Sequence, residues 1–235
     1  MANLTQLKAL ENLDGFLLVD KPAGIAFSSI VKTIKRRFGL IKVGHGGSLD
    51  TMASGLFILL IGDANKFVDR VMNETKEFEG TIDFSRLTNT GDIYGENISS
   101  PSPTPSPDLS QFRGDVFLTE PKFCSVKKEG EALYSVVDTG EHKQFMAHVY
   151  RLEVKDLGQG QVEVQGQGVK AFSLKCDKNV IVRALVRDMG GTLASLRRTK
   201  IGKFSIEEAI RFDMLLETEM KDFASCVMPL SKALR

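Results

Sequence analysis

Tryptophan is absent from this 235-residue chain, and cysteine, histidine and tyrosine occur three times each. Cys124, Cys176 and Cys226 are odd in number and far apart, which argues against a disulfide framework or a CxxC zinc or redox site and points to a reducing cytoplasm. His45, His142 and His148 lack metal-ligand spacing and HExxH is missing, so no metal is implied. No apolar run is long enough to span a bilayer. The N-terminal MANLTQLKALENLDG lacks the apolar core of a signal peptide, so the chain reads as soluble, with no membrane partner. A nucleotide-phosphate module would need GxxxxGK[ST], which is also missing, and nothing in the chain repeats.

What is present is an ordinary globular composition, 42% hydrophobic and 26% charged, at a length that holds one large domain or two small ones. The net charge of +1 conceals local clustering. From Lys21 to Leu49 there are six basic residues (Lys21, Lys32, Lys35, Arg36, Arg37, Lys42) and no acid. A second basic segment, Arg183 to Lys203, holds Asp188 as its single acid. The two could line one groove, although a charge run by default marks a solvated face. The first ends in VGHGGSLDTMASG (Val43–Gly55), where Gly44, Gly46 and Gly47 precede Asp50, the first carboxylate after the basic stretch. Glycine serves positive φ and close backbone approach, so this is a loop shaped to present a group, and Asp50 is the candidate. The plainer alternative makes Asp50 a turn or N-cap residue before a short helical turn.

Along the chain, GFLLV (Gly15–Val19) reads as a strand entering the turn Asp20-Lys21-Pro22-Ala23-Gly24. Ser28 or Ser29 can cap a helix with Ile30, Val31, Ile34 and Phe38 on one face, closed by Gly39. After the glycine loop come a strand Leu56–Ile61, a helix from about Ala64 to Met72, a strand Phe78–Phe84 and a polar, turn-rich stretch Arg86–Gly95. SSPSPTPSP (99–107) cannot build a core and reads as a surface loop within one domain, spanning about 97–110. A helix start at Pro107-Asp108 and strands around Tyr134–Val137 and His148–Val154 follow. Gln161–Gln165 and Phe172–Cys176 read as a hairpin around Gly166–Ala171. That string fits GxGxxA, but a strand rather than a helix follows, so no helix N-terminus is offered to phosphate. Val180–Leu193 reads as an amphipathic helix, and Ser205–Leu216 carries a capping box (Ser205, Glu208) and another short helix.

Taken together these segments resemble the bacterial tRNA pseudouridine-55 synthase family, collinearly over nearly the whole chain. Gly15 to Gly24 is similar to that family's G-x-x-x-x-D-K-P-x-G, Gly44 to Asp50 to G-H-x-G-x-L-D, and Ala53 to Leu56 to A-T-G-x-L. Gly62 to Phe67 is similar to G-x-A-T-K-F. Pro121, Lys127 and Gly130 are retained from Q-x-P-P-x-Y-S-A-x-K-x-x-G. Arg183 to Gly190 is similar to R-x-L-x-x-D-L-G, and Leu196-Arg197-Arg198-Thr199 with Gly202 and Phe204 to L-R-R-T-x-x-G-x-F. Several motifs in order favour Asp50 as a functional carboxylate over a cap.

The resemblance implies an α+β fold: a single catalytic domain over 1–235 with a central mixed, largely antiparallel sheet flanked by helices and loops. It implies a monomeric tRNA uridine isomerase acting in the T-arm without a cofactor. Asp50 and Arg183 are its implied catalytic residues, Arg183 holding and orienting the carboxylate. Lys21, His45, Gly46, Gly47, Phe78, Ile181 and Leu196 are the implied substrate-binding residues, His45 wedging into the space left by a flipped-out uridine. The chain ends soon after Val227-Met228-Pro229-Leu230, where the family's catalytic domain ends. The C-terminal RNA-binding domain is therefore expected to be missing and tRNA affinity reduced. Three departures stand out. Phe78 replaces the base-stacking tyrosine, Ile181 replaces the tyrosine of G-T-Y-I-R, and Phe123-Cys124 replaces Y-S. The run from Met189 to Leu196 is also shorter than usual. The alternative these losses motivate is a tRNA-binding protein with weak or no catalysis.

Overall fold

A computed structural model of the chain describes residues 13–99, 108–121, 127–128, 131–132, 143–157 and 168–234. It shows an α+β protein built on mixed sheet, in two compact units, Met1–Glu74 with Arg197–Arg235 and Thr75–Leu196.

The first unit begins with β1 (Gly15–Lys21), α1 (Phe27–Arg37), β2 (Val43–His45), β3 (Ser54–Ile61) and α2 (Val68–Asn73). β1 and β3 pair antiparallel from Gly15↔Ile61 to Lys21↔Gly55. Both strands are apolar without alternation because both of their faces are covered. On one face Leu17, Val19, Phe57, Leu59 and Ile61 pack with Ile30, Ile34, Phe38 and Phe223. On the other, Phe16, Leu18, Leu56, Ile58 and Leu60 pack with Ala64, Val71, Ile201 and Phe204. In α1, Ile30 and Ile34 are buried one turn apart while Lys35, Arg36 and Arg37 occupy its exposed last turn. The expected serine cap is not used: α1 starts at Phe27, its N-cap is Ala26, and Ser28 and Ser29 lie inside the first turn. Gly39, at φ +62°, does close it. The helix expected over Ala64–Met72 is split into a 3-10 segment Gly62–Phe67 and α2.

The second unit holds β4 (Lys76–Asp83), β5 (Leu87–Thr88), β6 (Asn97–Ser99), β7 (Gly114–Thr119), β8 (Lys127–Lys128), β9 (Glu131–Ala132), β10 (Gln144–Asp156), β11 (Val169–Cys176) and α3 (Val182–Asp188). β4, β11, β10 and β7 are consecutive antiparallel neighbours. The segment begun at Pro107-Asp108 is a short 3-10 helix, Leu109–Phe112, with the Asp108 carboxylate accepting from the Ser110 N–H at 3.0 Å. Most of the Pro/Ser stretch, the expected strands Tyr134–Val137 and Gln161–Gln165, and Phe123-Cys124 lie outside the described residues. The strand after Gly168 is present as β11 and pairs with β10.

The helix expected over Val180–Leu193 is corrected most. It is only α3, seven residues long, of which Val182, Arg183, Ala184, Leu185 and Val186 are all buried. Gly190, at φ +85°, follows, and the chain then enters β12 (Thr192–Ile201). The amphipathic look came from treating Arg183 as an outer residue. β12 is shared, with Thr192–Leu196 in the second unit and Arg197–Ile201 in the first.

The chain completes the first unit with β13 (Phe204–Ser205), β14 (Ile210–Arg211), α4 (Phe212–Glu217), β15 (Met228–Pro229) and α5 (Leu230–Ala233). β14 lies parallel to β1, and β12 parallel to β3. The pairings of β1 with β3 and β15, of β2 with β3, of β12 with β13, of β5 with β6, of β8 with β9, and along β4, β11, β10 and β7 are antiparallel, and Asp92↔Leu193 is a parallel bridge, so the sheet is mixed and largely antiparallel, as the resemblance implied. The Ser205–Glu208 box is present on a 3-10 turn, with the Ser205 N–H donating to Glu208 Oε2 at 3.3 Å.

Candidate active site

The glycine segment begins as strand and ends as a turn. β2 pairs with β3 (Gly44↔Leu60, His45↔Leu59), and the Gly46 N–H donates to the Ile58 carbonyl at 2.9 Å. Gly46 is buried, and a Cβ there would overlap the Val71 side chain, so the loop can leave the sheet only with glycine at this position. Gly47 follows at φ +124°. Asp50 is half-buried, and its carbonyl accepts from the Ala53 N–H at 3.1 Å. The turn reading of its backbone is therefore correct, but no helix follows; residue 54 already belongs to β3. Asp50 also interacts electrostatically with the Lys21 ammonium.

Two buried cations hold this loop. Lys21, fully buried at the end of β1, donates to the carbonyls of Pro22 (2.8 Å), Thr51 (3.3 Å) and Ala53 (2.6 Å). An ammonium has three donors, and all three are used. Burial lowers its pKa from 10.5 to about 8, the Asp50 carboxylate pulling it back up and the Arg198 guanidinium pushing it further down. Arg198, 2% exposed on β12, donates through Nε to the Leu56 carbonyl (2.8 Å), Nη1 to Ser48 (2.9 Å) and Nη2 to Gly47 (3.4 Å). Gly55 sits across from both, paired with Lys21 on one side and Arg198 on the other. It has φ +105°, and a Cβ would overlap the Arg198 backbone. On the opposite face of these strands Arg197 grips Asp20 with both terminal nitrogens, at 3.1 and 2.8 Å.

His45 packs its ring against Phe27 (5.1 Å between centroids) and Phe57 (5.9 Å). Its Nδ1 is buried with no hydrogen-bond partner among the described residues. Burial first, and the Arg198 charge second, lower its pKa below 6.5, so the ring is neutral at neutral pH.

Lys21, His45, Gly46, Gly47 and Asp50 thus share the first unit, together with Arg198. Arg198 was missed as a site residue because its tetrad read as one more basic run. The available signal was its place two residues after Leu196 in L-R-R-T. Phe78, Ile181, Arg183 and Leu196 belong to the second unit. Arg183 is buried on α3 and donates through Nη1 to the Thr90 carbonyl at 3.1 Å. Thr90 lies in the stretch Arg86–Gly95, which is more ordered than its polarity suggested: Thr88 Oγ1 donates to the Asp92 carbonyl at 2.7 Å, and the Leu193 N–H to Gly91 at 3.0 Å. Ile181 is the extended N-cap of α3. Phe78 on β4, opposite Leu174 of β11, and Leu196 on β12 are buried. The second basic segment is neither a solvated face nor a uniform groove lining. Arg183 and Arg198 are buried, and Arg187 is tied to Asp188 and to the Thr119 carbonyl.

Residues 35–182 match the family described as TruB family pseudouridylate synthase (N terminal domain). The chain is 32% identical over 235 residues to the tRNA pseudouridine synthase B of Gluconacetobacter diazotrophicus, covering 94% of this chain and 76% of that one. With the Opitutus terrae protein of the same name identity is 30% over 238 residues, covering 95% of each. Among solved structures, a Cbf5-Nop10-Gar1 complex includes a chain of similar fold, with TM-score 0.66 and 22% identity, over 97% of this chain and 63% of that one. The match spans the glycine loop, Asp50 and the start of α3, and the chain belongs to the TruB family of pseudouridylate synthases.

Proposed function

We propose that this protein isomerises uridine to pseudouridine in the T-arm of tRNA, at position 55, with the Asp50 carboxylate acting at the ribose. The observation that carries it is the presentation of Asp50: one acid on a glycine loop whose neighbouring carbonyls on both sides are taken by buried cations. Relatives of about 30% identity that bear the name tRNA pseudouridine synthase B supply the substrate class.

The reaction breaks N1–C1′ of the uridine and joins C1′ to C5 of the same uracil. The C5 proton leaves and N1 gains one, so atoms and electrons balance without an added redox partner. A carboxylate at the ribose can attack C1′ or remove the C2′ proton, and both roles use Asp50 as the anion. The Lys21 ammonium and the Asp50 carboxylate interact electrostatically. A paired uridine must leave its stack to be reached. His45, a neutral ring held against Phe27 and Phe57, is assigned to the vacated stack on the resemblance and would have to leave those contacts to enter it, and Phe78 suits the base through its ring. Arg183, Ile181 and Leu196 complete the set of residues assigned to substrate and carboxylate.

The test is release of tritium from C5-labelled tRNA by the purified protein. Release with one product pseudouridine per tRNA supports isomerisation. A tRNA complex with no release would favour the binding protein suggested by the phenylalanine at 78 and the isoleucine at 181.

A further inference from the structure

We propose that Arg198 is a positioning residue for the reaction, fixing the backbone on the N-terminal side of Asp50 as Lys21 fixes it on the C-terminal side. This rests on the reading of Asp50 given above. The carbonyls engaged by Arg198 belong to Gly47, Ser48 and Leu56, and those engaged by Lys21 to Pro22, Thr51 and Ala53. Within the loop, Asp50 lies between Gly47 and Ser48, held by Arg198, and Thr51 and Ala53, held by Lys21, while the Leu56 and Pro22 carbonyls tie each cation to the strands beside it; the cations themselves stand either side of Gly55 in adjacent strands. A loop between β2 and β3 has few ladder bonds of its own, and these contacts replace them.

Stability alone does not explain the choice of residue. A buried cation is costly to desolvate, and a well-packed apolar side chain often serves stability as well or better. What an apolar side chain cannot do is draw three carbonyls to fixed directions. A guanidinium can, because its donors form a rigid fork, whereas an ammonium at the same place is a single point. Misplacing a reacting group by about 1 Å costs on the order of 100-fold in rate. Anchoring on both sides of Asp50 is therefore expected to show in turnover rather than in substrate binding.

The experiment compares wild type, Arg198→Ala and Arg198→Lys in single-turnover isomerisation, tRNA binding and amide hydrogen exchange across residues 46–53, with and without added guanidinium. For Arg198→Ala we expect the rate to fall about 100-fold, tRNA Kd to stay within about threefold, and the loop amides to exchange faster. Guanidinium should restore part of both the rate and the protection. Arg198→Lys, the fallback should the alanine variant not fold, should also lose rate, because an ammonium lacks the planar fork by which Nε, Nη1 and Nη2 reach the Leu56, Ser48 and Gly47 carbonyls separately. Wild-type-like turnover and wild-type-like exchange in either variant would overturn the assignment. So would a loss confined to tRNA affinity. If wild type itself gives no turnover, the isomerase reading fails, and loop exchange still decides the clamp: acceleration in the variants supports it and no change overturns it.

Discussion

Phe78 and Ile181 are two of the positions at which this chain differs from the motifs it resembles, and each difference has its own consequence. A phenylalanine keeps the face on which a base stacks and loses only a hydroxyl. Phe78→Ala should therefore weaken productive substrate binding by about 1–3 kcal/mol, the range for a lost base–aromatic stack, while Phe78→Tyr stays near wild type. Single-turnover kinetics against tRNA concentration separates the two. Since Phe78 is also buried, thermal unfolding of Phe78→Ala must be followed alongside. At 181 the resemblance implies a tyrosine hydroxyl that would assist removal of the C5 proton, and isoleucine has none. Ile181→Tyr should accelerate product formation if a phenol can be accommodated beside the start of α3, and a rate at or below wild type would count against that role.

Lys21 gives a prediction independent of turnover. Its pKa is about 8 in the folded chain and 10.5 without the fold. Between those values the unfolded chain holds a proton that the folded one has released, so stability rises with pH across that window and the contribution is lost as pH falls through 8. At about 1.4 kcal/mol per unit the full span is about 3 kcal/mol. Urea unfolding of wild type and Lys21→Met from pH 7 to 10.5 should show wild type gaining on the variant above pH 8. Parallel curves would refute the shift.

At the scale of elements, β1 and β3 were legible because burial on both faces leaves an unbroken apolar run that needs no periodicity to be seen. α1 was legible through Ile30, Ile34 and Phe38 at helical spacing. β12 was not legible. Its two arginines face opposite sides of the sheet, Arg198 toward the loop carbonyls and Arg197 toward Asp20, so a strand with cations on both faces read as a charged surface run. The glycine pair at 190–191 was the signal that α3 ends early. In the site, the sequence order put Asp50 on its loop correctly, whereas the carbonyl partners of Lys21 and Arg198 depend on strand pairings that residue types alone do not specify. Those pairings make Gly55 a test of the element. Gly55→Ala places a methyl against the Arg198 backbone at a φ that L-residues rarely adopt. It should cost at least about 1–3 kcal/mol, read by chemical denaturation, and reduce turnover with it. A neutral substitution would mean that β3 and β12 do not meet there.

For the whole molecule, the net charge of +1 leaves attraction to RNA to local clusters. With Arg183, Arg187 and Arg198 occupied by carbonyl or carboxylate partners, the last turn of α1 is an exposed basic cluster among the described residues. Lys35, Arg36 and Arg37 are all exposed, although Arg37 also donates to the Thr218 carbonyl. Each phosphate contact adds about 0.7–0.9 to the slope of log K against log salt. Removing all three side chains should flatten the slope for tRNA by up to about 2.1–2.7. An unchanged slope would place this turn away from the RNA.

The central claim is that a single carboxylate carries the chemistry while the rest of the molecule binds and presents. It is tested most directly by C5 tritium release under single-turnover conditions, comparing wild type with Asp50→Asn on the same tRNA transcript, with tRNA Kd measured for both. Release by wild type, release abolished in Asp50→Asn and a Kd within a few-fold of wild type is the predicted result. Near-normal release from Asp50→Asn would contradict it.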